Sequence, residues 1–81
     1  MFFVYALKSI HHNFIYVGMT EDLGARIVRH NNGYNTSTKR FAPFELIYSE
    51  SCETGTEARA REKYFKSTSG KRYLHSLIKH E

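Results

Sequence analysis

The chain has 81 residues, of which 41% are apolar and 15% aromatic, with a formal net charge of +4 and one cysteine. This length permits one modest core, so we expect a single domain over residues 1–81, and the apolar content excludes a disordered tail. One thiol forms no internal disulfide and supplies no zinc framework, which favours a reducing, cytoplasmic compartment. The apolar runs are too short to span a bilayer, so we expect no membrane association.

Positive charge is concentrated near the C-terminus. Residues 54–80 contain seven Lys or Arg residues and two Glu residues, a net charge of +5. A local basic surface favours a polyanionic partner such as nucleic acid, although a solvated helix face explains the charge equally well. The cations predicted to contact nucleic acid are Lys39, Arg40, Arg59, Arg61, Lys63, Lys66, Lys71 and Arg72.

Two short apolar runs near the N-terminus predict the arms of a β-hairpin. The first run contains Tyr5, the second contains Tyr16, and a polar stretch separates them. Successive side chains alternate across a sheet, so Tyr5 shares a face with Leu7, and Tyr16 shares a face with Gly18. Two phenols therefore project side by side, either as a half-exposed structural feature or as part of a reaction centre.

A first helix is predicted to follow the hairpin. Thr20 is the expected N-cap, and the helix covers about residues 21–31. Arg26 and His30 lie one turn apart on the border of its apolar face. A polar loop then leads to a third strand over residues 44–48.

The second helix is predicted from a capping box formed by Thr54 and Glu57. We expect it to extend to about Ser69, with Gly70 as its terminator, before a last short helix. The resulting order β-β-α-β-α-α predicts an α+β fold, in which helices flank a three-stranded antiparallel sheet.

An acidic side chain falls on the apolar face of the second predicted helix. Glu62 lies four residues after Ala58 and three residues before Phe65, which are the inward-facing positions. A carboxylate removed from water needs a partner. A salt bridge to Arg26 is the structural interpretation, and coordination of a divalent cation is the functional one.

Six residues in a fixed order carry the clearest pattern in the chain: Tyr5, Tyr16, Gly18, Arg26, His30 and Glu62. With this set the chain resembles the GIY-YIG nuclease superfamily, and it looks closest to small stand-alone members with a single domain. The resemblance extends from Phe3 to about Ile78. It implies a metal-dependent endonuclease that hydrolyses phosphodiester bonds in DNA, selects for DNA structure, and acts in DNA repair or recombination.

The resemblance also implies a cofactor and a clamp for the phosphate. Glu62 would bind Mg²⁺ or Mn²⁺ as a hard oxygen ligand, with water and phosphate oxygens completing the coordination. Arg26 would hold the non-bridging oxygens while negative charge develops on them. No small-molecule cofactor is implied.

The phenols and their neighbours complete the implied site. Tyr5 and Tyr16 would position the attacking water, with one of them as general base, and the sequence does not choose between them. A phenol titrates near pH ~10, so a nearby cation has to favour its deprotonation. His30 would hydrogen-bond a phenol or a phosphate, and Gly18 would permit close approach.

Several positions depart from the pattern of the superfamily. Phe3 and Val4 replace the Gly and Ile of the first motif, Met19 stands where some members have a lysine, and no asparagine occurs beyond Asn35. A non-catalytic nucleic-acid-binding module is therefore the alternative function. The expected partner is DNA, branched or nicked, and a protein partner would add specificity because so small a domain offers little surface for sequence readout.

Overall fold

The computed structural model describes residues 1–78, so the ends of the predicted basic stretch and of the predicted domain lie outside the described residues. The strands are β1 (Phe2–Ser9), β2 (Ile15–Thr20) and β3 (Phe44–Cys52), and they form one antiparallel sheet in the order β2-β1-β3. The helices are α1 (Leu23–Asn31), α2 (Gly55–Lys66) and α3 (Thr68–Ser76). The chain order β-β-α-β-α-α confirms the predicted α+β fold.

The predicted hairpin is present as the β1–β2 pair. Tyr5 lies opposite Gly18, and Leu7 lies opposite Tyr16, so the side chains of Tyr5, Leu7 and Tyr16 project from one face of the sheet, over Gly18. The N–H of Ser9 donates to the carbonyl of Phe14 at 2.9 Å and closes the connection. The register thus places both phenols on one side of the hairpin.

Side chains cover the sheet on both faces. On one face the strands pack against α2 and α3 through Val4, Ala6, Val17, Cys52, Ala58, Phe65 and Leu74. On the other face the core is made by Tyr5, Leu7 and Phe44, with Phe14, Tyr16, Leu23, Ile27 and Phe41 packed against them. The two phenols therefore belong to the core on the α1 side. None of the helices in residues 1–78 has the length and apolar character needed to cross a bilayer.

The start of α1 differs from the prediction, whereas the start of α2 matches it. The side chain of Asp22 caps α1 and accepts from the N–H of Ala25 at 3.1 Å, so Thr20 is not the cap. Thr20 is the last residue of β2, and its hydroxyl accepts from the N–H of Asp22 at 3.1 Å. In α2, Thr54 accepts from the N–H of Glu57 at 3.1 Å, as predicted.

The boundary between α2 and α3 also differs from the prediction. Helix α2 ends at Lys66, and Ser67 caps α3 by accepting from the N–H of Gly70 at 3.3 Å. Gly70 is thus a buried residue within α3, and the prediction that it terminates the second helix is wrong. A Cβ at this position would overlap the carbonyl oxygen of Tyr64 and would lie 2.5 Å from the Cα of Phe65. The glycine is needed because the two helices cross closely there.

Candidate active site

The two phenols of the hairpin meet above a glycine. A Cβ on Gly18 would lie 2.6 Å from the Tyr5 hydroxyl oxygen and 2.9 Å from Cε2 of Tyr16. The centroids of the two phenol rings are 6.2 Å apart. The absence of a side chain at Gly18 therefore makes the room that both phenols occupy.

A buried polar network extends from Tyr5 away from the sheet. The Tyr5 hydroxyl lies 3.2 Å from Nε2 of His30, and Nδ1 of His30 lies 3.0 Å from the hydroxyl of Thr38. All three side chains are fully buried, with at most 1% of each residue exposed. Burial lowers the pKa of His30, and the charges of Arg26 and Arg29 lower it further, so the imidazole is held neutral.

Three of the predicted site residues, Tyr16, Arg26 and Glu62, act on the pKa of the Tyr5 phenol. Burial and the neighbouring Tyr16 raise the pKa of Tyr5 to about 12, while the charge of Arg26 acts in the opposite direction. The negative charge of Glu62 also raises this pKa, although Glu62 comes from α2 on the other face of the sheet. Residues from β1, β2, α1 and α2 thus act on a single hydroxyl.

Glu62 does not form the salt bridge that the structural interpretation predicted. Its carboxylate lies 3.7 Å from Nζ of Lys66, one turn later on the same helix, and this ion pair replaces the expected one with Arg26. Lys66 is within reach on the same helix, whereas Arg26 belongs to a helix on the opposite face of the sheet. The Glu62 side chain is 24% exposed, so its carboxylate remains accessible from solvent.

The donor set around Glu62 fits a magnesium-like ion and not a closed metal cage. Within residues 1–78 there is no group of three or more His, Cys, Asp or Glu side chains that could hold a metal ion. Mg²⁺ typically keeps several waters and takes one or two carboxylates together with phosphate oxygens. A single accessible carboxylate such as Glu62, with phosphate oxygens and water as the other ligands, meets that requirement.

A basic groove runs along the free edge of β2 toward α3. Its volume is about 470 Å³. The polar side chains that line it include Asn13, Tyr16, Lys66, Lys71 and His75. Tyr16 belongs to both the groove and the pair of phenols, and Lys66 is the ion-pair partner of Glu62. The groove is therefore continuous with the candidate site.

A second cavity of about 470 Å³ lies on the α1 side. Its polar lining includes Arg26, Arg29, His30 and the loop residues Asn35 and Ser37. Tyr34, at its rim, is 71% exposed. Arg26 and His30 thus belong both to the candidate site and to the lining of this cavity.

The remaining predicted cations have different environments. Glu50 holds the guanidinium of Arg61 with two hydrogen bonds of 2.8 and 3.1 Å and raises its pKa, and the guanidinium also lies 5.0 Å from the ring centroid of Phe65. Arg40 lies over the Phe41 ring at 4.8 Å. The other four are exposed on the surface, namely Lys39, Arg59, Lys63 and Arg72. Arg61 therefore has much of its hydrogen-bonding capacity occupied within the protein.

Thr38 is the residue of this region that the sequence did not single out. It lies in a loop of Asn, Ser and Thr residues without periodicity, and such loops are usually exposed. Nothing in the sequence distinguishes it from Thr36 or Ser37. Its burial follows from the way the loop folds back onto α1, which is a tertiary feature.

Comparison with known proteins identifies the family of this chain. A family model described as the GIY-YIG catalytic domain matches residues 1–74. The chain belongs to the GIY-YIG family. The predicted family membership is therefore confirmed, and the GIY-YIG domain implies a nuclease with a nucleic-acid substrate. Nucleases of this family typically use divalent metal ions.

The relatives of this GIY-YIG chain are small bacterial proteins. It is 39% identical to a UPF0213 protein of Staphylococcus epidermidis over 66 residues, which is 80% of this chain and 79% of the relative. It is 39% identical to the UPF0213 protein YazA of Bacillus subtilis over 71 residues, or 86% of this chain and 71% of YazA. The solution NMR structure of a UPF0213 protein from Bacillus halodurans matches with a TM-score of 0.56 and 31% identity, covering 95% of this chain and 85% of that chain.

Proposed function

We propose that this protein is a metal-dependent endonuclease that hydrolyses phosphodiester bonds in DNA. The observation that carries the proposal is the pair of phenols, Tyr5 and Tyr16, packed together over Gly18, with the charges of Arg26 and Glu62 acting on the Tyr5 phenol. Two phenols, a guanidinium and a carboxylate are the groups that a hydrolysis of this kind needs for a base, a phosphate clamp and a metal ligand.

Glu62 is assigned to the metal ion, and Arg26 is assigned to the negative charge of the phosphate. Glu62 would hold Mg²⁺ or Mn²⁺, and the ion, when bound, would supply Lewis-acid stabilisation of the leaving oxygen. Arg26 binds the non-bridging phosphate oxygens, for which its planar fork of donors is suited. Arg26 also lines the cavity on the α1 side, from which a phosphate can approach it.

Burial separates the roles of the two phenols. Tyr5 is 1% exposed and has its pKa raised to about 12, so its hydroxyl stays protonated and out of contact with solvent. Tyr16 is partly exposed and lines the basic groove. We therefore assign Tyr16 as the general base that takes a proton from the attacking water. We assign Tyr5 a supporting role, in which the oxygen of its buried hydroxyl is an acceptor for Arg26.

The proposed DNA contacts are the basic groove and the cavity on the α1 side. Lys66 and Lys71 in the groove bind the phosphate backbone on one side of the scissile bond, and Arg29 binds it on the other side. Lysine and arginine contacts of this kind position a substrate without reading its sequence. We therefore propose selection for branched or nicked DNA, a role in repair or recombination in the cytoplasm, and a protein partner that adds specificity.

The decisive experiment replaces the metal ligand. Glu62→Gln and Glu57→Gln remove the same charge from the same helix, but Glu57 lies in the exposed first turn of α2. Each variant is incubated with nicked, branched and supercoiled DNA in Mg²⁺ and in Mn²⁺. We expect cleavage by the wild type and by Glu57→Gln, and none by folded Glu62→Gln. Equal cleavage by all three proteins would refute the assignment of Glu62.

A second candidate function is a nucleic-acid-binding module without catalysis. The observations that favour it are Met19, which stands where some members have a lysine, and the lack of any asparagine beyond Asn35. This function predicts binding that weakens steeply with salt, no requirement for metal, and no cleavage by the wild type on any of the three substrates.

A further inference from the structure

Thr38 is a buried residue in a polar loop, and its hydroxyl contacts two other polar groups. Thr38 is 1% exposed, whereas its neighbours Ser37 and Lys39 are exposed. Its Oγ1 lies 3.4 Å from the carbonyl oxygen of Asn35 and 3.0 Å from Nδ1 of His30. The hydroxyl therefore has two partners, one on the loop backbone and one on the imidazole.

The chemistry of these partners favours one direction for each hydrogen bond. The carbonyl of Asn35 can only accept, so the hydroxyl of Thr38 donates to it. The Thr38 oxygen is then free to accept, and Nδ1 of His30 donates to it. Nε2 of His30 is left with a lone pair, which accepts the hydroxyl hydrogen of Tyr5 at 3.2 Å.

We propose that Thr38 is a positioning residue that holds His30 in the Nδ1–H tautomer and so commits the hydroxyl hydrogen of Tyr5 to His30. The lone pairs of the Tyr5 oxygen are then available to the guanidinium of Arg26, which can only donate. The tautomer is a property of the folded chain alone. Its effect on cleavage rests on the proposed endonuclease function.

The opposite tautomer is unfavourable because it leaves the Tyr5 hydroxyl hydrogen without its acceptor. With hydrogen on Nε2, the N–H of His30 would point at the Tyr5 oxygen, and the Tyr5 hydroxyl hydrogen would have to turn away from His30. An unsatisfied buried donor costs about 1–3 kcal/mol, and Tyr5, His30 and Thr38 are almost wholly buried. The N–H on Nε2 would also occupy a lone pair of the Tyr5 oxygen that is otherwise available to Arg26.

Two variants at position 38 test the proposal. Thr38→Val has nearly the same shape but lacks the hydroxyl, and Thr38→Ser retains it. The tautomer of His30 is read from long-range ¹H–¹⁵N NMR spectra, in which the spectrum of His30→Gln identifies the His30 signals. We expect hydrogen on Nδ1 in the wild type and in Thr38→Ser, and a mixture of tautomers or hydrogen on Nε2 in Thr38→Val.

The kinetic consequence is tested on the same proteins. We expect Thr38→Val to lower kcat about 10- to 100-fold, as loss of a residue that orients another does in metal sites, with little change in KM, and Thr38→Ser to restore kcat. Hydrogen on Nε2 in the wild type would overturn the proposal, and so would an unchanged tautomer in Thr38→Val. If no DNA is cleaved by any variant, the proposed function fails while the NMR result still decides the role of Thr38.

Discussion

The hydroxyl of Tyr5 lies 3.2 Å from Nε2 of His30, and this contact joins the first strand to the first helix in the interior of the protein. The same helix carries Arg26, whose charge acts on the same phenol. The position of the proposed phosphate clamp is therefore linked to a hydrogen bond in the core. Any change that affects the neutral state of His30 should affect both the stability and the site.

Lowering the pH should destabilise the protein through His30. Burial lowers the pKa of His30 in the folded state, so below the unfolded value of about 6.5 the unfolded chain binds more protons than the folded protein. The free energy of unfolding should therefore fall as the pH is lowered through about 6.5, and continue to fall until the depressed folded pKa is reached.

This pH dependence can be measured by urea denaturation between about pH 8 and about pH 5, the range in which histidine charge changes. We expect His30→Gln to remove part of the slope, because glutamine does not titrate. His11→Gln is the matched control, since His11 is exposed in the hairpin connection. Identical slopes for the wild type and His30→Gln would contradict the buried neutral state.

Removing each phenol hydroxyl should have different effects. Tyr16→Phe should lower kcat by about 10²-fold or more, the typical contribution of a general base, with little loss of stability because Tyr16 is partly exposed. Tyr5→Phe should lower kcat less, and should also lower the free energy of unfolding by about 1 kcal/mol, because it leaves Nε2 of His30 without its hydrogen bond. Single-turnover cleavage and urea denaturation measure the two effects. A larger loss of kcat in Tyr5→Phe would reverse the assignment.

Removing one groove lysine should reduce the salt dependence of DNA binding. If Lys71 contacts one phosphate, Lys71→Gln should reduce the slope of log K against log salt by about 0.9 for duplex DNA. Lys8→Gln is the control of equal charge, because Lys8 is not a lining residue of the groove and its ammonium donates to the carbonyl of His12 at 2.7 Å. Fluorescence anisotropy over a salt series measures the slopes. Equal slopes for the two variants would exclude a phosphate contact at Lys71.

Adding a methyl group at two helical glycines should change stability in opposite directions. Gly70→Ala brings a Cβ into the backbone of α2 and should cost about 3 kcal/mol or more. Gly24→Ala, in α1, places its Cβ 3.9 Å from the nearest atom and should stabilise the protein by about 0.5–1 kcal/mol, because alanine favours helix. Thermal unfolding compares the two. Stabilisation by Gly70→Ala would contradict the close crossing of α2 and α3.

Much of the fold was predictable because its signals are local. Alternating apolar residues around Tyr5 and Tyr16 predict the hairpin, and the Thr54 cap predicts the start of α2. The errors occur where tertiary structure competes with local preference. Thr20 is a good helix cap by residue type, but it is held in β2, and Asp22 takes the role. Glycine commonly terminates helices, but at position 70 the close approach of α2 explains its presence.

The contacts within the candidate site were not predictable from the sequence. The spacing of Arg26, His30 and Glu62 identifies residues of a known type, and it contains no information about which partner each of them meets. Glu62 pairs with Lys66 and not with Arg26, which depends on how the helices are distributed over the two faces of the sheet. The contact of Thr38 with His30 depends on the path of a loop, for which the sequence has no periodic signal.

The packing of the α1 side has a consequence for how such a protein loses its activity over evolutionary time. Tyr5 and Tyr16 fill the interior there with their rings, while their proposed reactions use only the two oxygens. Phenylalanine at both positions would preserve nearly all of the buried apolar volume. A descendant without the proposed activity can therefore keep the fold and the basic groove intact, and abundance in the cell would be a poor guide to whether a given copy retains that activity.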